Sequence, residues 1–213
     1  QQLEEVTEAA TTLRNQALAT GNEPIVANAG LYPRPLTIFV AEDSSLPAEN
    51  AVRQDIEGGV LICAPGVSVP ALGSVSLQAI TSAAIRMAAA TGSESGGSFV
   101  LENHLLRVSI GADGTIDQIF DKEAERVVLT DRGNQLWAYV DKPYAWDAWD
   151  IDETYARDGE EIIEVESVEL IESGPIRASV RVERQWRDST ITQTYRLWND
   201  SKRLDIATDI DWH

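Results

Sequence analysis

The sequence contains little of what disulfides, metal sites and catalytic motifs require. Among its 213 residues there is one cysteine, Cys63, and there are two histidines, His104 and His213. One cysteine cannot form a disulfide within the chain, which fits a reducing compartment, so we expect a cytoplasmic protein. Neither histidine lies in a recognisable zinc motif, and no Gly-x-Ser-x-Gly turn or glycine-rich phosphate loop occurs. The residues therefore predict no metal ligand and no catalytic group in this chain.

Basic residues are also scarce. The chain carries 17 Lys and Arg against 35 Asp and Glu, which gives a formal net charge of −18. Such a charge repels phosphate backbones and anionic lipid, so it argues against nucleic-acid and membrane partners. No apolar run approaches the ~20 residues of a membrane-spanning helix. The longest candidate, residues 83–90, is interrupted by Arg86.

The two ends of the sequence indicate a fragment. The chain begins at Gln1 rather than at Met, and it ends at His213 within a stretch that alternates like a strand. No basic region followed by an apolar core is visible near the start, so no signal peptide is predicted. We interpret the chain as part of a longer protein, whose other motifs lie outside this sequence.

The first 97 residues predict a helix, a small β domain and a linker. An apolar stripe at spacings of three and four predicts a helix in residues 1–20, either as the end of a helical bundle or packed on the chain's own β domain. The stripe consists of Leu3, Val6, Ala10, Leu13 and Ala17. Residues 24–82 place proline and glycine between short apolar runs, as in a small antiparallel sandwich. Residues 83–97 are alanine-rich and then Gly/Ser-rich, which is typical of a flexible linker.

Residues 98–213 show the two-residue alternation of strands with one wet face. The turn residues 111–114 predict a β-hairpin, and in residues 203–212 the alternation predicts one buried face. That face consists of Leu204, Ile206, Ile210 and Trp212. We therefore predict a mainly β fold, in which the N-terminal helix is followed by a small β-sandwich and a large antiparallel β-sandwich that is incomplete at its C-terminus.

Residues 141–152, here called the aromatic–acidic segment, concentrate residue types that bind ligands. Four aspartates and three large aromatic residues occur within it. A sugar offers an apolar C–H face, on which flat rings stack, and pairs of hydroxyl protons that carboxylates accept. The predicted sugar contacts are Tyr144, Trp146, Asp147, Trp149 and Asp150.

Other interpretations of the aromatic–acidic segment stay open at this point. Its tryptophans could fill one end of the sandwich while its aspartates are merely solvated. Asp147, Asp150 and Asp152 could bind Ca²⁺, although their spacing does not match an EF-hand loop. A glycosidase acid/nucleophile pair would require two carboxyl groups held ~5 Å apart, which a loop sequence does not show.

A succession of short motifs runs through the second half of the chain. They are Leu101-Glu102-Asn103, Asp113-Gly114-Thr115-Ile116, Phe120-Asp121-Lys122-Glu123-Ala124, Gly133-Asn134-Gln135-Leu136, Asp141-Lys142-Pro143, Trp146-Asp147-Ala148-Trp149-Asp150-Ile151, Ser173-Gly174-Pro175, Ser189-Thr190-Ile191-Thr192-Gln193, Lys202-Arg203-Leu204-Asp205 and Asp209-Ile210-Asp211-Trp212-His213. In order and spacing they resemble the C-terminal region of glycoside hydrolase family 38, the α-mannosidases. Residues 28–77 resemble the small β domain of that family only faintly.

This resemblance implies a zinc-dependent enzyme that hydrolyses terminal α-mannosides of oligosaccharides with retention. It implies that the nucleophile, the acid/base and the zinc ligands lie in an N-terminal catalytic domain upstream of Gln1, and that this fragment binds no zinc and is inactive alone. It also implies that residues 98–213 form part of a galactose-mutarotase-like supersandwich, whose aromatic–acidic segment helps to close the mannose site. The alternative is a free-standing carbohydrate-binding β-sandwich module, in which the segment is itself the ligand site.

Overall fold

The computed structural model describes residues 8, 11, 12, 25–42, 51–77, 87–146, 149–151 and 153–213. The chain divides into two compact units, residues 1–87 and residues 88–213. The helix that the sequence predicts in residues 1–20 lies outside the described residues, apart from three positions, and stays a prediction. In the part of the chain that is described, no helix has the length and apolar character needed to cross a membrane.

The first unit contains two small antiparallel sheets. Its strands are β1 Ile25–Asn28, β2 Arg34–Ala41, β3 Val52–Ile56, β4 Gly59–Val69 and β5 Gly73–Ser76. β1 pairs with β5, and β4 lies between β2 and β3. Leu36 and Ala64 of the three-stranded sheet belong to a buried cluster against which Val26 and Val75 of the two-stranded sheet pack. Short apolar runs between prolines and glycines thus form strands here, as the sequence predicts.

The second unit begins with a five-stranded antiparallel sheet. Its strands are β6 Thr91–Ser95, β7 Ser98–Glu102, β8 Leu106–Ile110, β9 Ile116–Asp121 and β10 Arg126–Val127. Their order in the sheet is β10-β9-β8-β7-β6. The predicted hairpin at residues 111–114 is confirmed, because β8 and β9 pair antiparallel across it. Gly114 has a φ of 70°, a left-handed conformation that glycine adopts without steric cost.

The predicted linker is wrong for residues 91–97, which form β6 and a tight turn into β7. Gly96 and Gly97 have φ values of 61° and 80° between the paired residues Ser95 and Ser98. Positive φ at both central residues is what a two-residue hairpin turn requires. A Cβ on Gly92 would lie 2.5 Å from Leu170 Cδ1, so this glycine allows close packing. The Gly/Ser-rich composition here reflects a turn and a close contact rather than a flexible joint.

A small two-stranded sheet and a four-stranded sheet complete the second unit. The strands are β11 Trp137–Tyr139, β12 Gly159–Glu161, β13 Val165–Ser173, β14 Arg177–Trp186, β15 Ser189–Trp198 and β16 Leu204–Asp211. β11 pairs with β12, and the larger sheet has the order β13-β14-β15-β16. The connection from β11 to β12 carries the aromatic–acidic segment and one 3₁₀ turn at Tyr155–Asp158.

The two larger sheets share one apolar core. Val180 and Val182 of β14 and Tyr195 of β15 are fully buried. They belong to the same cluster as Val108 and Ile110 of the five-stranded sheet. Every second residue of β14 and β15 therefore faces the opposite sheet, as the alternation predicts. The expectation of a mainly β, antiparallel, sandwich-like fold is confirmed.

The prediction of a buried face on the last strand is wrong for most of its length. Leu204 packs against the core, but Ile206, Ile210 and Trp212 are 38%, 51% and 60% exposed. The reason is that β16 is the edge strand of its sheet. Alternation identifies which residues of a strand share a face, but whether another layer covers that face depends on the position of the strand in the sheet.

Candidate functional site

The aromatic–acidic segment exposes the aromatic side chains that the sequence predicts as sugar contacts. Tyr144, Trp146 and Trp149 are 103%, 74% and 89% exposed. Asp150 is exposed as well, whereas Asp147 lies outside the described residues. Four of the five predicted contact residues are thus accessible on this connection.

One turn brings several of these residues together along the backbone. The amide groups of Trp149 and Asp150 both donate to the carbonyl oxygen of Trp146, at 2.7 and 2.9 Å. Trp146 has a φ of 64°, in the left-handed region. That conformation costs an L-residue on the order of 1 kcal/mol, and such residues concentrate at functional sites.

The exposure of three large rings is unusual for the surface of one domain. A buried aromatic residue removes about 150–250 Å² from water, so these three expose on the order of 400 Å² together. That amount resembles the largest apolar patch on an ordinary monomer, which is often functional. The interpretation in which Trp146 and Trp149 fill one end of the sandwich is therefore wrong, and both rings are accessible to a sugar or to another domain.

The carboxylates of the aromatic–acidic segment are accessible too. Asp141 and Asp150 are exposed, and among the described residues neither has an ion-pair partner. Of the three aspartates in the calcium interpretation, only Asp150 is described. The described carboxylates are therefore open to hydroxyl donors from a ligand.

A second group of aromatic side chains, here called the aromatic platform, lies at the start and end of the same connection. It consists of Trp137, Tyr139 and Tyr155, which are 45%, 43% and 41% exposed. The rings of Trp137 and Tyr139 stack at 6.3 Å, and Tyr155 meets Tyr139 edge-on at 5.0 Å. A Cβ on Gly159 would clash with the Tyr139 ring, so glycine is needed there. The sequence analysis missed this group, although the i, i+2 spacing of Trp137 and Tyr139 signals a shared strand face.

Arg132 forms ion pairs both with the β8–β9 turn of the sandwich and with β12, at the end of the connection. Its guanidinium lies 3.2 Å from Asp113 Oδ2, in the β8–β9 turn, and 3.1 Å from Glu161 Oε1, in β12. Burial opposes ionisation of Asp113. Hydrogen bonds from the amide and hydroxyl of Thr115, together with the hydrogen bond and charge of Arg132, outweigh burial, so the pKa of Asp113 is lowered. Burial, followed by repulsion from Asp113, raises the pKa of Asp117 in β9.

Asn134 makes a second, more buried attachment. Its Nδ2 donates to Gln193 Oε1 at 2.9 Å and to the Tyr195 hydroxyl at 2.5 Å. Tyr195 in turn donates to the carbonyl oxygen of Gly114 at 2.7 Å. Gln193 and Tyr195 are 2% and 0% exposed. A continuous hydrogen-bond chain thus links the connection to β15 and to the β8–β9 turn.

Arg184 lies beneath the same turn and is 2% exposed. Burial lowers the pKa of its guanidinium, and the negative charges of Asp113 and Glu161 oppose that effect. Its Nη2 would lie 2.7 Å from a Cβ on Gly114, so the turn rests directly on this side chain. We call Asp113, Gly114, Arg132, Asn134, Glu161, Arg184, Gln193 and Tyr195 together the base network.

The described residues do not fit the zinc site that the resemblance implies for the parent enzyme. His104 Nε2 lies 3.3 Å from Asp200, and His213 Nε2 lies 3.2 Å from Asp211, so each is paired with a single neighbouring carboxylate. Within the described ranges, no group of three or more His, Cys, Asp or Glu side chains could hold a metal ion.

Comparison with known proteins assigns the second unit. The sequence model of the glycosyl hydrolases family 38 C-terminal domain matches residues 101–213. The chain belongs to glycosyl hydrolase family 38. The resemblance inferred from the motifs is thereby confirmed, and the family 38 domain contains the aromatic–acidic segment, the aromatic platform and the base network.

One relative extends the comparison to a whole enzyme. Alpha-mannosidase G of Dictyostelium discoideum is 27% identical over 128 residues, which cover 56% of this chain but 12% of that protein. The chain thus spans a small part of this relative. Family membership and the name of the relative together indicate a glycoside hydrolase as the parent protein.

Proposed function

We propose that the chain is the non-catalytic C-terminal portion of a zinc-dependent, retaining α-mannosidase that acts on terminal α-mannosides of oligosaccharides. The observation that carries this proposal is the exposed aromatic–acidic segment within a family 38 C-terminal domain. The nucleophile, the acid/base and the zinc ligands are proposed to lie in an N-terminal catalytic domain of the same polypeptide. That domain is the proposed protein partner of this chain.

In this proposal the aromatic–acidic segment helps to close the mannose site of the catalytic domain. Tyr144, Trp146 and Trp149 offer ring faces for the C–H face of the sugar, and Asp147 and Asp150 accept its hydroxyl protons. Contacts of this kind bind and orient the mannoside without taking part in bond cleavage. Loss of such contacts is therefore expected to appear mainly as a higher KM.

Hydrolysis of p-nitrophenyl α-mannoside tests whether the catalytic groups lie in the upstream domain and not in this chain. The 213-residue chain should release no p-nitrophenol with or without Zn²⁺, whereas a longer polypeptide that includes the upstream domain should be active. Zinc-dependent turnover by the purified 213-residue chain would show that the catalytic groups lie within it and would overturn the proposal. A longer polypeptide without α-mannosidase activity would overturn it as well.

A second candidate function is a free-standing carbohydrate-binding module, which the exposure of Trp146 and Trp149 favours, because both rings are accessible without any partner. Calorimetric titration of the 213-residue chain with mannose and oligomannosides distinguishes the two functions. Micromolar binding that is lost in Trp149→Ala favours the module. Weak or absent binding favours a segment that acts only against the catalytic domain. Trp212→Ala, which removes another exposed tryptophan, is the matched control.

We also propose a cytoplasmic location. The only cysteine, Cys63, is buried in β4 and forms no disulfide within the chain. Domains of secreted proteins commonly carry disulfides, so a 213-residue segment with a single cysteine agrees with a reducing compartment. Cell fractionation with an antibody against the chain tests this, and recovery in the secreted fraction would contradict it.

A further inference from the structure

We propose that Asn134 is a positioning residue for the aromatic–acidic segment: its two hydrogen bonds to Gln193 and Tyr195 fix the direction in which the segment leaves the sandwich, and so the place where its rings meet a mannoside. The inference concerns a residue outside the predicted sugar contacts, and its link to the sugar rests on the proposed function.

The connection that carries the segment is held by backbone hydrogen bonds at Gly133, before the segment, and by the pairing of its two ends in β11 and β12. Ile116 and Gly133 exchange two backbone hydrogen bonds, at 2.9 and 2.8 Å, and the amide of Ile162 donates to Leu136 at 2.8 Å. Between these points, Tyr144, Trp146 and Trp149 are mostly exposed. Because little of this stretch packs against the sheets, its position depends on how its two ends are held.

Asn134 follows the first attachment directly and is suited to set the direction of the chain. Its φ is 58°, a left-handed conformation that asparagine adopts more readily than most L-residues. Its side chain then reaches two acceptors on β15, an interior strand of the four-stranded sheet. The backbone conformation of Asn134 therefore turns the chain at the same residue whose side chain is bonded to β15.

The acceptors themselves are fixed. Tyr195 is fully buried and donates onward to Gly114, whose turn rests on Val182 and Arg184 and leaves no room for a Cβ. Neither the Tyr195 ring nor the Gly114 turn can move without disturbing the core. A hydrogen bond to Tyr195 therefore holds the Asn134 side chain in a fixed place.

Arg132 is the other attachment, and it is the weaker one. Its side chain is 38% exposed, and its partners Asp113 and Glu161 are 44% and 19% exposed. Solvent screens ion pairs of this kind, so they contribute little. Loss of the Asn134 bonds, in contrast, leaves the buried Gln193 oxygen and Tyr195 hydroxyl without this donor. Asn134 is therefore expected to dominate the positioning.

The first test uses the 213-residue chain and needs no substrate. Asn134→Gly keeps the left-handed backbone and removes both side-chain bonds. In ¹⁵N relaxation measurements, backbone order parameters of residues 141, 145, 146, 149 and 150 should fall clearly in this variant. The control is Asn103→Ala, since Asn103 also donates two bonds, to the carbonyls of Trp198 and Ser201, at the other end of β8. The control should leave the order parameters of the segment unchanged.

The second test is enzymatic and uses the longer polypeptide that carries the proposed activity. Asn134→Gly should raise KM for an α-mannoside by about ten-fold while kcat changes by less than about three-fold, because the loosened segment binds sugar poorly and holds no reacting group. Asn103→Ala should keep KM within about two-fold. Should Asn134→Gly fail to fold, Tyr195→Phe removes one of the two acceptors of Asn134, together with the bond to Gly114, at nearly constant volume and is expected to raise KM in the same direction.

The outcomes of these tests distinguish the positioning role of Asn134 from the link between the positioned segment and the sugar. Unchanged order parameters in Asn134→Gly, or an equal fall in Asn103→Ala, overturn the positioning role. A clear fall with unchanged KM overturns the link between the positioned segment and the sugar. A wild-type longer polypeptide without α-mannosidase activity contradicts the proposed function, and the relaxation data alone then decide the positioning role.

Discussion

Two regions that expose tryptophan in the family 38 domain differ in what lies beneath them. Trp146 and Trp149 belong to an irregular connection whose first end is held by a buried hydrogen-bond network. Trp212 follows a regular edge strand and stacks on Trp186 at 5.2 Å. In the first region the exposed rings lie beside carboxylates, and the backbone at Trp146 is in a left-handed conformation. In the second region the exposed ring continues the apolar face of a sheet. The exposed rings of the first region are distinguished by the polar, anchored base beneath them, and for this reason we assign the proposed sugar contacts to that region.

The largest effect should come from removing the support of the connection by Gly114→Ala. The new Cβ would clash with Val182 and lie 2.7 Å from Arg184, at a φ of 70°. We expect the free energy of unfolding to fall by about 3 kcal/mol, from overpacking and backbone strain together. Tryptophan fluorescence in a urea titration measures this for the second unit alone, because all six tryptophans lie in residues 98–213.

Gly96→Ala provides the control for this prediction. Gly96 also has a positive φ, 61°, but a Cβ there would meet nothing within 4 Å. The expected loss is about 1 kcal/mol, from backbone strain alone. Equal losses in the two variants would show that the turn at Gly114 is not seated on the side chains below it.

A smaller effect should separate the two tryptophan-bearing regions. Trp212→Ala removes the stack on Trp186 and should cost about 1 kcal/mol of unfolding free energy. Trp149→Ala removes a ring that is 89% exposed and should change stability by less than about 0.5 kcal/mol. Urea titrations followed by circular dichroism measure both. A larger loss in Trp149→Ala would mean that the ring packs on the domain, contrary to its exposure.

The smallest effect concerns pH. The pKa of Asp113 is lowered in the folded chain, because hydrogen bonds from Thr115 and the charge of Arg132 outweigh burial. Its ionised form therefore contributes stability that is present above the unfolded-state pKa and is lost as pH falls through the folded-state value, below about pH 4. The contribution should be below about 1 kcal/mol, because the Asp113 side chain is 44% exposed.

Melting temperatures of the wild type and of Asp113→Asn between pH 7 and pH 3 test this sign. The wild type should be the more stable of the two at neutral pH, and the difference should shrink as the pH falls. A difference that grows towards low pH would mean that the pKa of Asp113 is raised rather than lowered.

Much of the fold could be predicted because strands carry a local signal. The alternation in β14 and β15 identified their buried faces, and the turn residues 111–114 identified the hairpin. Composition misled at residues 91–97, since glycine and serine serve a tight turn and a close contact as well as a linker. The exposed face of β16 could not be predicted, because coverage depends on which layer lies opposite, and that is a property of the whole sheet.

One part of the candidate site could be predicted from the sequence and another part could not. The aromatic–acidic segment was found because its residue types are dense within a short stretch. The base network was missed because its members range from Asp113 to Tyr195 and meet only through the pairing of distant strands. Asn134 stands in the Gly133-Asn134-Gln135-Leu136 motif that carries the resemblance, but its proposed role follows from its position before the segment and from its two buried acceptors.

The most direct test of the central claim is the effect of Trp149→Ala on kcat/KM for an aryl α-mannoside in the longer polypeptide, measured beside Trp212→Ala. If the segment contacts the sugar, Trp149→Ala should lower kcat/KM about ten-fold, the equivalent of one lost aromatic stack, while Trp212→Ala stays within about two-fold of the wild type. Equal activities in both variants and the wild type would contradict a sugar-contacting segment.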